Sequence, residues 1–155
     1  ESSMGHLDRS MDIAKEIKDD MRYHYYHLGK GLIYFQQKDY TQAMDGNLSK
    51  WYEWFTENEK DISLRDMGIY LVCLKKLNRD YDLSRLETLM KETPERKYHY
   101  ELNYMLYQLY DDRSYLKSSY EKIMDIKSKL DNKTGEKFIN YPLESEIVKV
   151  YQSIS

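Results

Sequence analysis

The sequence is poor in the residues that punctuate β structure, with 6 glycines and 2 prolines among 155 residues. That scarcity excludes a turn-rich β fold. With 41% hydrophobic residues it also excludes a disordered chain. Cysteine is scarcer still. Cys73 stands alone, so no internal disulfide framework is possible, and a reducing, cytoplasmic setting is the expectation. No apolar run reaches the roughly 18 residues that a membrane span needs. The first residues lack the basic-then-apolar order of a signal peptide. Neither sign of charge dominates: Lys+Arg number 24 and Asp+Glu 27, for a net charge of -3. Such a balance gives no general attraction to nucleic acid or to an anionic membrane.

What the chain does have is helical periodicity. Leu7, Met11, Ala14 and Ile17 share one face of a helix expected over Leu7 to Asp20. Met21 to Gln37 follows, with Tyr25, Leu28, Leu32 and Phe35 as its apolar stripe and Gly29 and Gly31 inside it. A helical glycine costs up to about 1 kcal/mol against alanine, so two of them point to close approach by a neighbouring helix. Lys38-Asp39 is a turn. Thr41 to Asn58 is expected as one long return helix with Ala43, Met44, Leu48, Trp51 and Phe55 inward. Ile62 to Leu77 is apolar around much of its circumference, the mark of a buried helix. Leu83 to Glu92, Tyr98 to Tyr110, Tyr115 to Leu130 and a short Glu144 to Ile154 complete the expected helices. Asp131 to Gly135 is polar and is expected as a loop.

A spaced echo runs through these helices. A large residue stands three positions before a small one at Leu7 and Ser10, Tyr40 and Ala43, Tyr81 and Ser84, and Tyr115 and Ser118. The large residues are 33, 41 and 34 apart. Periods of that size indicate helix-hairpin repeats, which stack into solenoids and usually serve as binding surfaces. The first echo falls at the first helix, so the chain is expected to begin inside a repeat of a longer array. One domain over 1–155 is expected.

Tyr25 to Met44 resembles a tetratricopeptide repeat: a first helix with a Leu-Gly pair, an Asp-Tyr turn at Asp39-Tyr40, then the small Ala43 opening the second helix. Counting back from Ala43 makes Gly31 the family glycine, whereas the apolar stripe favours Leu28-Gly29. The likeness extends over roughly residues 5 to 130 in degenerate form. It implies an all-α, right-handed α-solenoid of antiparallel helix hairpins. The first helix of each hairpin would line a concave, partner-binding face. On this sequence that face would carry Tyr23, Tyr26 and Lys30, then Ile69 and Cys73, then Tyr100, Asn103 and Tyr107. Degenerate repeats with long helices are similar to the sensor halves of some bacterial regulators and kinases. The implied role is protein or peptide binding in signalling, or sensing of a short signalling peptide. No enzyme activity, cofactor, metal or nucleic-acid partner is expected.

Tyrosine is the abundant aromatic, with 17 copies against 3 phenylalanines. Tyr100, Tyr104 and Tyr107 share a face distinct from that of Leu102, Met105 and Leu106, and are expected to be the more exposed set. Tyrosine combines large contact area with few rotatable bonds and a polar tip, which suits a binding surface. The alternative is that these tyrosines pack internally in place of phenylalanine. His24 and His27 stand three apart, a spacing that can hold a metal. No third ligand lies near them in the sequence, so ordinary polar or half-buried histidines are the expectation. Cys73, in the most apolar segment, is expected to be an inert buried thiol. Asp19-Asp20, Glu57-Asn58-Glu59 and Asp111-Asp112 look like solvated turns, and no phosphate-cradling glycine loop is present.

Overall fold

The computed structural model describes residues 3–94 and 97–154. The described residues are all-α, with no strand among them. Contacts along the chain gather it into two compact units, Glu1–Arg85 and Leu86–Ser155.

The first unit contains α1 (Ser3–Glu16), α2 (Asp20–Gln36), α3 (Tyr40–Ala43), α4 (Ser49–Glu57) and α5 (Leu64–Lys76). Its helices stop in one repeated way. The residue after the C-cap of α1, α2, α4 and α5 is left-handed: Lys18, Lys38, Glu59 and Asn78, with φ of 53°, 62°, 51° and 51°. The next amide then donates five residues back, from Asp19 to Ala14, Asp39 to Tyr34, Lys60 to Phe55 and Arg79 to Leu74, at 2.8–3.0 Å. This double-bonded end satisfies the last carbonyls of a helix, and glycine is its usual pivot. Here non-glycine residues take the pivot, which is how a chain short of glycine still turns sharply. Asp19 and Asp39 also start the next helix, accepting from the Arg22 and Gln42 amides at 2.9 and 3.0 Å.

The return helix is not continuous. Between α3 and α4 the chain makes a wide turn over Met44–Leu48, with Asp45 extended and Gly46 left-handed at φ 75°. Glycine adopts that conformation at no steric cost. The dipeptide Asp45-Gly46 is a turn signal that the expectation of a helix over Thr41 to Asn58 passed over. Side chains bridge the break: the Asn47 amide donates to the Gln42 carbonyl at 2.7 Å, and the Ser49 hydroxyl donates to the Met44 carbonyl at 2.8 Å.

Both glycines of α2 stand at close approaches. A Cβ on Gly29 would meet Leu7 of α1 at 3.1 Å. A Cβ on Gly31 would meet Leu48 at 2.6 Å and the Ala43 carbonyl oxygen at 3.2 Å. Gly31 is therefore the residue on which the return segment packs. Of the four small echo residues, Ala43 is buried, Ser118 is half-buried, and Ser10 and Ser84 are exposed. Tyr25, placed on the inward stripe by periodicity, is exposed instead. The buried face of α2 is Tyr26, His27, Leu28 and Gly31.

The helix α6 (Ser84–Glu92) carries the chain into the second unit, which holds α7 (Tyr100–Tyr110), α8 (Arg113–Ser128), α9 (Asn132–Ile139) and α10 (Pro142–Ile154). Its core gathers Tyr100, Tyr104, Leu116, Ile123 and Ile147, with Phe138 and Ile139 packed against them. Asp131 caps α9 by accepting from the Thr134 amide at 3.1 Å, so the expected loop at Asp131 to Gly135 is the start of a helix. A short helix with its apolar residues at one end has little periodicity to read, and it forms because Phe138 and Ile139 reach the core. Among the described residues no helix is long and apolar enough to cross a membrane.

Candidate functional site

The residues expected on a binding face fall into three local groups. On α2, the half-buried Tyr23 presents its ring edge-on to His24 at 5.2 Å and to His27 at 4.8 Å. Tyr26 is buried. Its hydroxyl donates to Asp8 Oδ1 of α1 at 2.8 Å and accepts from Lys30 Nζ at 3.1 Å. Lys30 stands 3.9 Å from the same Asp8 oxygen. The Tyr26 hydroxyl raises the Lys30 pKa by hydrogen bonding to its charged form, and burial raises that of Tyr26. The group Tyr26, Lys30 and Asp8 thus ties α1 to α2.

On α5, Ile69 and Cys73 are both buried. Burial pushes the Cys73 thiol up to about 12, away from the thiolate that reacts. We expect Cys73 to resist an aromatic disulfide reagent in the native protein and to react only as fast as the first unit opens. Immediate stoichiometric labelling of folded protein would show that the thiol is accessible.

On α7 the tyrosines are on the whole the more exposed set, as expected, but two of the three are buried all the same. Tyr100 and Tyr104 are 8% and 5% exposed, against 7%, 4% and 0% for Leu102, Met105 and Leu106. Tyr107 alone of the three tyrosines is half-exposed, and it stacks on Tyr104 with ring centroids 6.0 Å apart. The reason lies on α10. The Tyr100 hydroxyl donates to Glu144 Oε1 at 2.6 Å, and the Tyr104 hydroxyl donates to Glu146 Oε1 at 2.9 Å. A phenol can be buried when its hydroxyl finds an acceptor, so both rings enter the core with their polar tips satisfied. Burial, then the carboxylate of Glu144, hold the Tyr100 pKa above the usual tyrosine value. Asn103 is buried too, its amide donating to the His99 carbonyl at 3.2 Å.

The structure exposes a different set. Ile13, Ile17, Met21 and Tyr25 are 48%, 55%, 46% and 49% exposed. They recur every fourth residue through the end of α1, its turn and the start of α2. Tyr25 leans edge-on against Phe55, with centroids 5.1 Å apart. Isolated exposed apolar residues are ordinary, but four spaced through one hairpin are not scattered. The reading of the sequence missed them because the same spacing marks a buried stripe.

Two histidines lie beside this hairpin. His24 Nδ1 donates to the Asp20 carbonyl at 2.7 Å and its ring stacks on Trp54 at 4.5 Å. His27 is buried, with Nδ1 3.5 Å from Asn47 Oδ1. Among the described residues no group of three or more His, Cys, Asp or Glu is placed to hold a metal ion. The chain matches no family model, no curated protein and no solved structure.

Proposed function

We propose that the chain is a tetratricopeptide-like helical repeat module of the α-solenoid type that binds a protein or peptide, as part of a bacterial signalling or regulatory protein. The observation that carries this reading is the run Ile13, Ile17, Met21 and Tyr25, four large apolar side chains about half exposed on one hairpin. Exposed apolar side chains lose water favourably when a partner covers them, at roughly 25 cal/mol per Å². Such contacts suit a peptide or protein more than a polar small molecule. The half-buried Tyr23 and Lys30 on the same helix add an aromatic edge and a cation. The reading is of a non-catalytic module, supported by Tyr26, Tyr100 and Tyr104, whose hydroxyls tie one helix to another.

The test is selection of peptides from a random displayed library on the whole chain, followed by binding to the variant Ile17→Ser, Tyr25→Ser. Half-exposed positions tolerate such changes with little loss of stability, so the variant should melt close to wild type. Loss of apolar anchors commonly costs about 2 kcal/mol, and we expect enriched peptides to bind roughly thirtyfold more weakly. No enrichment on wild type, or unchanged binding by the variant, would overturn the proposal.

A further inference from the structure

His27 is 6% exposed and sits at the one break in the return helix of the first unit. Its hydrogen-bonding state can be derived. The Asn47 side chain uses its NH2 group to donate to the Gln42 carbonyl at 2.7 Å, so the Asn47 oxygen is the atom turned to the imidazole. An oxygen can only accept, so His27 carries its proton on Nδ1 when neutral. Nε2 is then a bare lone pair. It is buried and has no hydrogen-bond partner among the described residues. A proton added there would create a buried N–H with no acceptor and a cation with no counter-charge.

The surroundings sharpen this. The charged or titratable groups acting on His27 are Lys50 from α4, and His24 and Lys30 from its own helix. From the same helix Tyr23 and Tyr26 stand edge-on to the ring at 4.8 and 5.2 Å. On α1, Asp8 is held by Tyr26 and Lys30. In the wide turn, Asp45 pairs with Arg79 at 2.8 Å. The helix α3 bears no charged residue. On α5, Asp66 accepts from Ser63.

We propose that His27 and Asn47 form a proton-released latch across the break at Asp45-Gly46: the neutral imidazole holds the return segment closed, and protonation opens it. The latch is a regulatory device in the fold and stands apart from the binding reading above. Burial, then the neighbouring cations, hold the His27 pKa below its ordinary 6.5, with the Asn47 contact opposing them. The open state, with a solvated imidazole, takes up the proton first. Closure is therefore fully stable above about pH 6.5 and weakens as the pH falls below it.

Hydrogen exchange of the whole chain tests this, read on residues 40–57 and corrected for intrinsic rates, between about pH 7.5 and about pH 5.5. Uptake of a proton on opening raises the opening constant as the pH falls below about 6.5, by at most about tenfold per pH unit. We expect that rise in wild type and in His24→Gln, and a flat profile in His27→Gln. An unchanged wild-type profile, or the same rise in His27→Gln, overturns the latch. Nitrogen NMR of the wild-type imidazoles gives a second readout that needs no variant. His27 should show the Nδ1–H tautomer and titrate below its ordinary value of about 6.5. Titration of His27 at or above about 6.5, or the Nε2–H tautomer, overturns it equally.

Discussion

Replacing Tyr100 with alanine is expected to cost the second unit about 3–5 kcal/mol, the range for truncating a buried aromatic. Two losses coincide. The ring leaves the cluster with Leu116, Ile123 and Ile147. Its hydroxyl no longer reaches Glu144 at 2.6 Å, and Glu144 is itself buried. The backbone contact nearby, where the Ser119 hydroxyl donates to the Tyr100 carbonyl at 2.8 Å, survives and keeps α7 and α8 in register. Tyr100→Phe separates the terms, since it keeps the ring and removes only the donor. It should cost about 1–3 kcal/mol, the range for leaving a buried acceptor without its partner. Chemical denaturation of both variants checks the order. An alanine variant as stable as wild type would show that Tyr100 is not core. Alkaline pH offers the same test without mutation. The folded pKa of Tyr100 lies above the ordinary 10.0. The unfolded chain therefore releases its proton first, and this contribution to stability is lost as the pH rises beyond about 10.

Gly31→Ala is expected to destabilise the first unit by about 1–3 kcal/mol, against the usual direction for a helix interior. Glycine to alanine ordinarily gains up to about 1 kcal/mol there. Here the added Cβ would lie 2.6 Å from Leu48 Cγ and 3.2 Å from the Ala43 oxygen. Leu48 is fully buried and the Ala43 oxygen is backbone, so neither yields cheaply. Overpacking therefore outweighs propensity. Gly29→Ala is the control, because its Cβ would meet only the tip of the half-buried Leu7 at 3.1 Å. That variant should stay within about 1 kcal/mol of wild type. Ala43→Leu attacks the Gly31 contact from the other side and should fall in the same destabilising range. Urea midpoints decide the matter. A Gly31→Ala chain more stable than wild type would mean that α2 and the return segment do not meet at this residue.

Parts of this were legible without coordinates. Helix positions followed from periodicity, and the Lys38-Asp39 turn was readable, although glycine is absent from it. The paired glycines announced close approaches, and Cys73 stood in a segment apolar enough to be buried. Other parts were misread for physical reasons. Tyr25 and Tyr26 are neighbours on α2, and the apolar stripe chose the wrong one. A tyrosine whose hydroxyl has an acceptor can be buried as deeply as leucine, and side-chain type alone does not reveal the acceptor.

The sequence by itself determined that the chain is helical, roughly where most of its helices begin and end, and that no disulfide forms within it. These depend on local forces: periodicity, capping side chains and the reach of a few residues. The tertiary structure alone decided which tyrosines are core. The partner of Tyr100 lies 44 residues away on α10, and no local pattern encodes that meeting. It also decided that Ile13, Ile17, Met21 and Tyr25 face solvent, because exposure depends on which helices cover a face, not on the spacing of the residues along it.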